Sequence, residues 1–321
     1  MSERSIRFRV ALAVTKPLAT VAVALRRFGI NPRFGRVSNL ITHKVVLWYL
    51  RRFWQPLIDE YATATAADPQ VPDAADKSIV WNCWWQGPQT APELVAACLS
   101  AMRDNAVGAQ VVTITAENVA DYLTIDPVVR RRFDREGQPF NYLSDVIRMG
   151  LLAEHGGLWA DATIFTSMPL PTEALHGAFY TLRSPATGTQ EFVPEGRWTG
   201  FLIGGHGATR RIFEFTYRAL SEYWIAHARP LNYFLIDYAL HVAYEANIGN
   251  FRDRVHETPY VNPDLYAMVA RLGEPFDKEL YETWLERGTY FFKLNWRFTR
   301  SRTAGGDPTY YDFVVSTAGR A

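Results

Sequence analysis

The densest group of chemically capable side chains lies in SDVIRMGLLAEHGGLWADAT, residues 144–163. Asp145 and Arg148 are three residues apart, so on a helix they share one face. Gly156–Gly157 then allows a sharp turn, and Asp161 follows at the end of a short apolar run that reads as a strand. The spacing therefore brings an acid and a base on a helix close to an acid at a strand end, which is where open α/β sheets bind ligands.

Two interpretations of these residues stay open. A sugar nucleotide needs acceptors for its hydroxyl groups, cations for its diphosphate and a planar side chain for its base. Asp145 accepts hydrogen bonds from hydroxyl groups, Arg148 supplies a fork of donors, and Asp161 can reach a ribose or a hard divalent cation. The structural alternative is a buried Asp145–Arg148 ion pair that braces its helix. The residues alone slightly favour the structural alternative.

The elements around this segment alternate between strands and helices. Short β-favouring runs predict strands, and apolar stripes at helical spacing predict helices. The predicted strands are 78–85, 109–115, 158–167 with an interruption at Asp161, 177–182 and about 200–203, with 289–298 extended. The predicted helices begin near Pro92 and within 117–123, and cover 140–157, 209–226 and 232–246. This order predicts one α/β domain whose mainly parallel sheet is covered by helices.

The first 60 residues differ in charge from the rest of the chain. They contain eleven basic residues and three acids, a net charge of +8, whereas residues 61–321 carry −7. Two helices are predicted, at about 5–28 and 37–62. With arginines among apolar side chains, they suit the surface of an anionic membrane, or else they pack on the body. The predicted organisation is a basic helical extension (1–62), a linker (63–77) and an α/β domain (78–321).

Composition excludes several classes of protein. The 34 Lys and Arg balance 33 Asp and Glu, which disfavours a nucleic-acid binder. Lys16 and Pro17 interrupt the longest apolar stretch, so it is too short to span a membrane. Cys83 and Cys98 fit no zinc or redox motif, and they favour a reducing, cytoplasmic location. No G-x-G-x-x-G follows the first predicted strand, which disfavours a nicotinamide dehydrogenase.

Weaker candidates lie elsewhere in the sequence. Gly204–Gly205–His206 closes an apolar run and could line the acceptor side of a site, although a plain turn is favoured. Asp237 and His241 are four residues apart, a spacing that fits a metal or acid–base pair, but a surface pair is favoured. His155 is interpreted as a cation at the C-terminal end of a helix.

SDVIRMGLLAEHGGLWADAT resembles the pattern S-D-x-x-R followed by GG-x-W-x-D-A-T of bacterial capsular polysaccharide synthesis proteins. These are relatives of glycosyltransferase family 32 and of the sugar transferases that carry a D-x-D element. IVWNCWWQGPQTAPELVAACLSAM is similar to the family's opening strand and following helix, and YFFKLNWRF to a K-L element. Together these segments extend from about residue 77 to 298, roughly two-thirds of the chain.

The resemblance implies a GT-A-like nucleotide-diphospho-sugar transferase fold and a UDP- or GDP-sugar donor. Asp145, Arg148 and Asp161 match the catalytic set, and Trp85 matches an aromatic side chain that flanks the donor's base. The donor-binding residues implied by the match are Trp85, Ser144, Asp145, Arg148, Gly157, Asp161 and Lys293.

The D-x-D element departs from the family pattern in its second acid. Asp161 matches the first acid, but Thr163 stands where D-x-D enzymes have the direct metal ligand. Asp161 with diphosphate oxygens and water would suffice for Mn²⁺ or Mg²⁺, since these ions keep much of their water. Otherwise Arg148 and Lys293 would neutralise the leaving diphosphate. Metal dependence is thus an open question at this stage.

The resemblance implies transfer of a sugar, with retention of configuration, to a capsular or other cell-surface glycan. The acceptor would be a glycan or a lipid-linked glycan, which places the enzyme in the cytoplasm, peripheral to the inner face of the cytoplasmic membrane through residues 1–60. One alternative is a catalytically degenerate sugar-nucleotide-binding protein, because Thr163 replaces an acid. Another is a glycoside hydrolase in which Asp145 and Asp161 flank the bond, roughly 5 to 10 Å apart.

Overall fold

The computed structural model describes residues 6–17, 32–63, 78–297 and 300–317. Its α-helices are α1 (6–17), α2 (Pro32–Phe53), α3 (Gln55–Thr63), α4 (Glu93–Asn105), α5 (Pro127–Asp134), α6 (Phe140–His155), α7 (Thr172–His176), α8 (Arg210–Ala226), α9 (Leu235–Glu245), α10 (Phe251–Glu257), α11 (Ala267–Ala270), α12 (Lys278–Glu286) and α13 (Tyr310–Thr317). Its strands are β1 (Ile79–Cys83), β2 (Gln110–Ile114), β3 (Gly157–Ala160), β4 (Ile164–Phe165), β5 (Phe179–Thr181), β6 (Leu202–Gly205), β7 (Phe292–Lys293), β8 (Thr303–Ala304) and β9 (Asp307–Pro308).

A five-stranded sheet in the order β2-β1-β3-β6-β5 forms the centre of the fold. β1 pairs in parallel with β2 and with β3, whereas β6 is antiparallel to both β3 and β5. Four of the five strands therefore run in one direction, which confirms the predicted α/β class and the mainly parallel sheet. Because β1 and β3 are parallel neighbours, their carboxyl ends, Cys83 and Ala160, lie at the same edge.

The two faces of the sheet are covered by different apolar clusters. Leu158 and Ala160 of β3 pack in one cluster, while Trp159 between them packs in the other with residues of α6, α8 and α9. This alternation follows from the period-two geometry of a strand. All four residues of β3 are buried, as expected for a central strand with helices on both sides.

The N-terminal helices share the core of the body. Trp54, which is fully buried between α2 and α3, donates its indole N–H to the carbonyl oxygen of Ala219 on α8 at 2.9 Å. Arg51 of α2 pairs with Glu245 of α9. The predicted helix at 5–28 is described only over 6–17, and residues 64–77 of the predicted linker lie outside the described residues. The division at residues 62 and 77 stays a prediction.

The prediction that a helix begins within 117–123 was wrong. Only a short 3₁₀ turn, Val119–Asp121, forms there, and the helix is α5, which begins at Pro127. Asn118 accepts a hydrogen bond from the Thr115 amide, which favours a turn over a helix. Pro127 disfavours helical geometry in the residue before it, and Asp126 caps the new helix.

The predicted interruption at Asp161 is confirmed and divides the segment between two sheets. β3 ends at Ala160 and stays in the central sheet, whereas β4 leaves it and pairs antiparallel with β7. The helix predicted at 37–62 is divided at Trp54 into α2 and α3, and the extended segment predicted at 289–298 contains only the two-residue strand β7. The other predicted elements, within the described residues, differ from the structure mainly at their ends. None of the described helices is long and apolar enough to cross a membrane.

Candidate active site

A cavity of about 880 Å³ opens at the carboxyl ends of β1 and β3. Its walls come from the residues after β1, from α6, from the turn between β3 and β4, from α9 and from the segment after β7. The sequence-predicted residues that line it are Trp85, Ser144, Asp145, Arg148, Asp161, Thr163 and Lys293. The structure thus brings together every predicted catalytic and donor-binding residue except Gly157.

Arg148 lies at the centre of the polar contacts. Its position on α6, three residues after Asp145, brings Nη2 within 3.5 Å of Asp145 Oδ1, as the helical spacing predicted. Nη2 also donates to Asp161 Oδ1 at 3.2 Å, and Nη1 donates to the carbonyl oxygen of Gly200. The guanidinium is buried and lies 5.0 Å from the centre of the Trp159 ring. Arg148 therefore directs its two terminal nitrogens to protein acceptors and orients both carboxylates, while its buried Nε has no hydrogen-bond partner among the described residues.

Asp161 is held as an anion at the end of β3. Oδ1 accepts a hydrogen bond from Trp159 Nε1 at 2.9 Å, and Oδ2 accepts one from Lys293 Nζ at 2.8 Å. Burial alone would raise the pKa of this carboxyl, but Lys293 and then Arg148 outweigh burial and hold it below its ordinary value. The negative charge of Asp161 is thus present at neutral pH.

Pairing of β4 with β7 brings Lys293 to Asp161 from 132 residues along the chain. Ile164 lies opposite Lys293 in this pairing, and the Leu294 amide donates to the carbonyl oxygen of Thr163 at 2.9 Å. The Lys293 ammonium donates to Asp161 Oδ2 and to Thr163 Oγ1, each at 2.8 Å. The ammonium therefore lies between the side chains of Asp161 and Thr163, the two positions that match the D-x-D element.

This arrangement does not fit a divalent cation as D-x-D enzymes hold one. Across the described ranges, no group of three or more His, Cys, Asp or Glu side chains is arranged to hold a metal ion. The oxygens of Asp161 and Thr163 that a metal would use face an ammonium group instead. A cation at the same place would meet the positive charge of Lys293 at close range.

Asp237 on α9 is a cavity residue that sequence reasoning placed wrongly, as one half of a surface pair. It accepts a hydrogen bond from Trp198 Nε1 at 3.1 Å, and burial raises its pKa to about 6. His241, its supposed partner, instead lies 3.3 Å from Glu245 and 3.1 Å from Arg197. The predicted metal or acid–base pair does not form, and Asp237 joins the cavity alone.

Asp145 and Asp237 give the cavity two carboxyl groups that titrate close to neutral pH. Burial raises the pKa of Asp145 to about 7, and Arg148 only partly opposes this effect. Gly200 lies close to Arg148 and to Asp237. A Cβ at Gly200 would be 3.2 Å from Arg148 Nη1 and 3.9 Å from Asp237 Oδ1. The approach to Arg148 is tighter than an ordinary contact, so a side chain at position 200 would press on the guanidinium.

Aromatic side chains line the opening of the cavity. Trp85 packs on Phe140 with ring centres 4.9 Å apart, and the Arg130 guanidinium lies 4.8 Å from the Trp85 ring. Tyr233 and Trp296 are 58% and 41% exposed, so part of each ring face is accessible to a ligand. Such faces are suited to a nucleobase or to the apolar side of a sugar.

Most of the chain, including these residues, matches a known protein family. Residues 30–314 match the family model described as capsular polysaccharide synthesis protein. The chain belongs to this family. The match includes α2, α3 and all of the cavity residues named above, and membership indicates a biosynthetic role in capsule formation. A search of curated proteins found no match.

Three sequence candidates of this capsular polysaccharide synthesis protein lie away from the cavity. Gly157 begins β3, at the opposite end from Asp161, and its φ is +93°. A Cβ there would lie 2.4 Å from the Ile79 carbonyl oxygen, so Gly157 permits close strand packing rather than donor binding. His155 bonds the carbonyl oxygen of Tyr122 through Nε2 at 2.7 Å.

The Gly204–Gly205–His206 segment is also distant from the cavity lining. Gly204 and Gly205 are the last residues of β6, which is antiparallel to β3 and therefore ends at the opposite edge of the sheet. His206 Nε2 bonds the carbonyl oxygen of Leu175 at 2.9 Å. This segment is a strand end and turn, as the sequence favoured.

Proposed function

We propose that this protein is a glycosyltransferase with a GT-A-like fold. It transfers a sugar from a UDP- or GDP-sugar to a capsular or other cell-surface glycan. The observation that supports this most strongly is the pairing of anionic Asp161 with Lys293 inside a cavity at the carboxyl edge of a mainly parallel sheet. Such an edge is where α/β sheets bind nucleotides.

The size and lining of the cavity suit a nucleotide sugar. About 880 Å³ lies within the range of pockets that enclose large cofactor-sized ligands. In the proposed complex the base stacks on Trp85, and the diphosphate lies against Lys293. Ser144, Asp145 and Asp237 face the sugar and accept or donate hydrogen bonds to its hydroxyl groups. Each part of the donor then meets a side chain of matching chemistry.

The proposed reaction proceeds with retention and without an enzymic nucleophile. The bond between the anomeric carbon and the diphosphate oxygen breaks, and its electron pair leaves with the diphosphate. The acceptor hydroxyl oxygen bonds to the anomeric carbon on the same face, and its proton passes to the departing diphosphate. The protein contributes by positioning both substrates and by stabilising the charge that develops on the leaving group.

Arg148 acts in this scheme as a positioning residue. Its contacts go to Gly200 and to the carboxylates of Asp145 and Asp161, so it orients these two acids. Lysine could not replace it, because a single ammonium group lacks the planar fork that reaches all three acceptors.

A thermal-shift screen tests the donor assignment. Purified protein is heated with UDP-, GDP-, CMP- and dTDP-sugars, and a donor that binds the native state should raise the Tm. The donor that binds is then tested for sugar transfer with Asp161→Asn and with Asp104→Asn, an exposed acid on α4, as the matched control. We expect transfer to be lost only in the Asp161 variant.

Two results would overturn the assignment. Release of sugar from a glycan without any nucleotide donor would identify a glycoside hydrolase. Binding of a donor without turnover on any glycan acceptor would identify a sugar-nucleotide-binding protein.

We also propose that α1 and α2 place the enzyme on the inner face of the cytoplasmic membrane, where activated sugars and lipid-linked acceptors meet. Their inner faces pack on the body, but both helices expose a second apolar stripe. Its residues are Ile6, Val10 and Val14 on α1 and Val37, Ile41 and Trp48 on α2. Exposed Arg9, Arg36 and Lys44 lie on the same helices. Apolar side chains beside basic ones suit a surface of anionic lipid.

Sedimentation with vesicles tests this placement. Full-length protein should pellet with phosphatidylglycerol-containing vesicles at low salt and much less with purely zwitterionic ones. Ile41→Ser should weaken pelleting, whereas Ile225→Ser on α8, at the same 42% exposure, should not. Equal behaviour of the two variants would argue against α2 as the docking surface.

A further inference from the structure

We infer that the Lys293 ammonium occupies the place of the divalent cation, so that donor binding and transfer need no metal ion. This inference rests on the proposed glycosyltransferase function, because it concerns how the same cavity holds a diphosphate. In the D-x-D pattern the two acidic side chains bind a metal ion, whereas here Asp161 and Thr163 both contact the Lys293 ammonium.

The Lys293 ammonium lies between the side chains of Asp161 and Thr163. Nζ lies 2.8 Å from both Asp161 Oδ2 and Thr163 Oγ1. In a D-x-D element the second acid would bring a further negative charge to this point, and two acids would attract a divalent cation. Here a hydroxyl replaces that acid and an ammonium lies between the two oxygens. The positive charge between Asp161 and Thr163 is therefore supplied by the chain itself, in addition to Arg148 on the other carboxylate oxygen.

The backbone holds Lys293 at this point. The Lys293 amide donates to the carbonyl oxygen of Leu265, and the Leu294 amide donates to that of Thr163, both at 2.9 Å. The lysine side chain is only 20% exposed and lies 4.9 Å from the ring of Phe201. The backbone on both sides of Lys293 is therefore fixed, and a metal ion could enter only by displacing a partly buried ammonium that is already paired.

The remaining donor of Lys293 is suited to the diphosphate. A lysine ammonium has three N–H donors. Asp161 and Thr163 accept two of them, and Lys293 lines the cavity. The third donor and the positive charge then serve the leaving diphosphate, as a cation would.

Binding of Mn²⁺ to the protein alone tests the inference without any donor or activity. Free Mn²⁺ is measured by electron paramagnetic resonance during titration of the wild type, of Lys293→Met and of the double variant Thr163→Asp with Lys293→Met. We expect the wild type to leave the ion free and the double variant, with two acids and no ammonium, to bind one ion. Lys278→Met, at a lysine that is 77% exposed, is the matched control and should behave as the wild type.

One Mn²⁺ bound by the wild type and lost in Asp161→Asn would overturn the inference. So would a double variant that folds, as judged by its thermal melt, and yet binds no ion. If the double variant does not fold, the wild-type titration still shows whether the native site binds Mn²⁺.

Calorimetry with UDP and GDP then tests whether nucleotide binding needs a metal ion. Affinity should be the same in EDTA and in Mn²⁺, and Lys293→Met should weaken it by about tenfold or more, as expected for loss of a charge-assisted hydrogen bond. Affinity that appears only with Mn²⁺ would refute metal independence. If neither nucleotide binds under any condition, the proposed function fails, and the Mn²⁺ titration of the protein alone still tests the position of Lys293.

Discussion

Asp145→Asn should make the protein more stable above neutral pH while abolishing transfer. Burial raises the pKa of Asp145 to about 7 from an ordinary value of 3.8. A carboxyl whose pKa is higher in the folded chain binds more protons when folded. The free energy of unfolding of the wild type therefore falls as the pH rises from about 4 to about 7. Asparagine is neutral at every pH and avoids this loss.

The size of the effect follows from the difference between the two pKa values. It corresponds to about 4 kcal/mol over the whole titration, of which about 3 kcal/mol falls between about pH 5 and pH 8. At roughly 2 °C per kcal/mol for a chain of this size, the Tm of Asp145→Asn should gain about 6 °C on the wild type across that interval.

Thermal melts at the two pH values and constant ionic strength measure this gain. Asp104→Asn on the surface of α4 is the matched control and should show the same difference from the wild type at both pH values. If the Tm difference between Asp145→Asn and the wild type is also the same at both pH values, the reasoning is refuted. Asp145 would then be charged in the folded protein at about pH 5 as well as at about pH 8. A stabilised but inactive variant would in turn show that Asp145 is retained for chemistry at a cost in stability.

The other predictions concern packing, base binding and charge. Gly157→Ala should lower the free energy of unfolding by more than about 2 kcal/mol in urea, because its Cβ would strike the Ile79 carbonyl oxygen; Gly288→Ala, also at positive φ but in open space, should cost only about 1 kcal/mol. Trp85→Ala should weaken nucleotide binding by roughly 5- to 100-fold in calorimetry, as for loss of one base-stacking partner. Asp161→Asn should lower the Tm at neutral pH, because the pKa of Asp161 is depressed in the folded protein, and the difference from the wild type should close as the pH falls below about 4.

Local spacing was enough to predict the centre of the site. Asp145 and Arg148 share a helical face because they are three residues apart, and Asp161 follows a four-residue apolar strand. The contribution of Lys293 was harder to predict. It depends on pairing between two strands of two residues each, whose partners Ile164 and Lys293 are 129 residues apart in the sequence. Such short strands carry no periodic signal that would reveal their register.

Asp237 could have been recognised from the sequence. Helix α9 reads LIDYALHVAYE, and its buried residues are Leu235, Ile236, Tyr238, Ala239, Leu240, Val242 and Ala243. A helix that is apolar on nearly all sides is a buried helix, so a single acid within it needs a special reason. The four-residue spacing from Asp237 to His241 drew attention to a pair instead. The composition of the whole helix was the better signal.

The pairing of β4 with β7 also sets the earliest time at which the proposed active site can be complete during synthesis. Arg148, Asp161 and the strands β1, β2 and β3 have been synthesised once the ribosome has passed Asp161, but the ammonium that pairs with Asp161 arrives 132 residues later. At roughly 5–20 residues per second this takes about 7 to 26 s. For that interval Asp161 has no lysine partner, so the ion pair at the proposed donor site can form only after Lys293 has been synthesised.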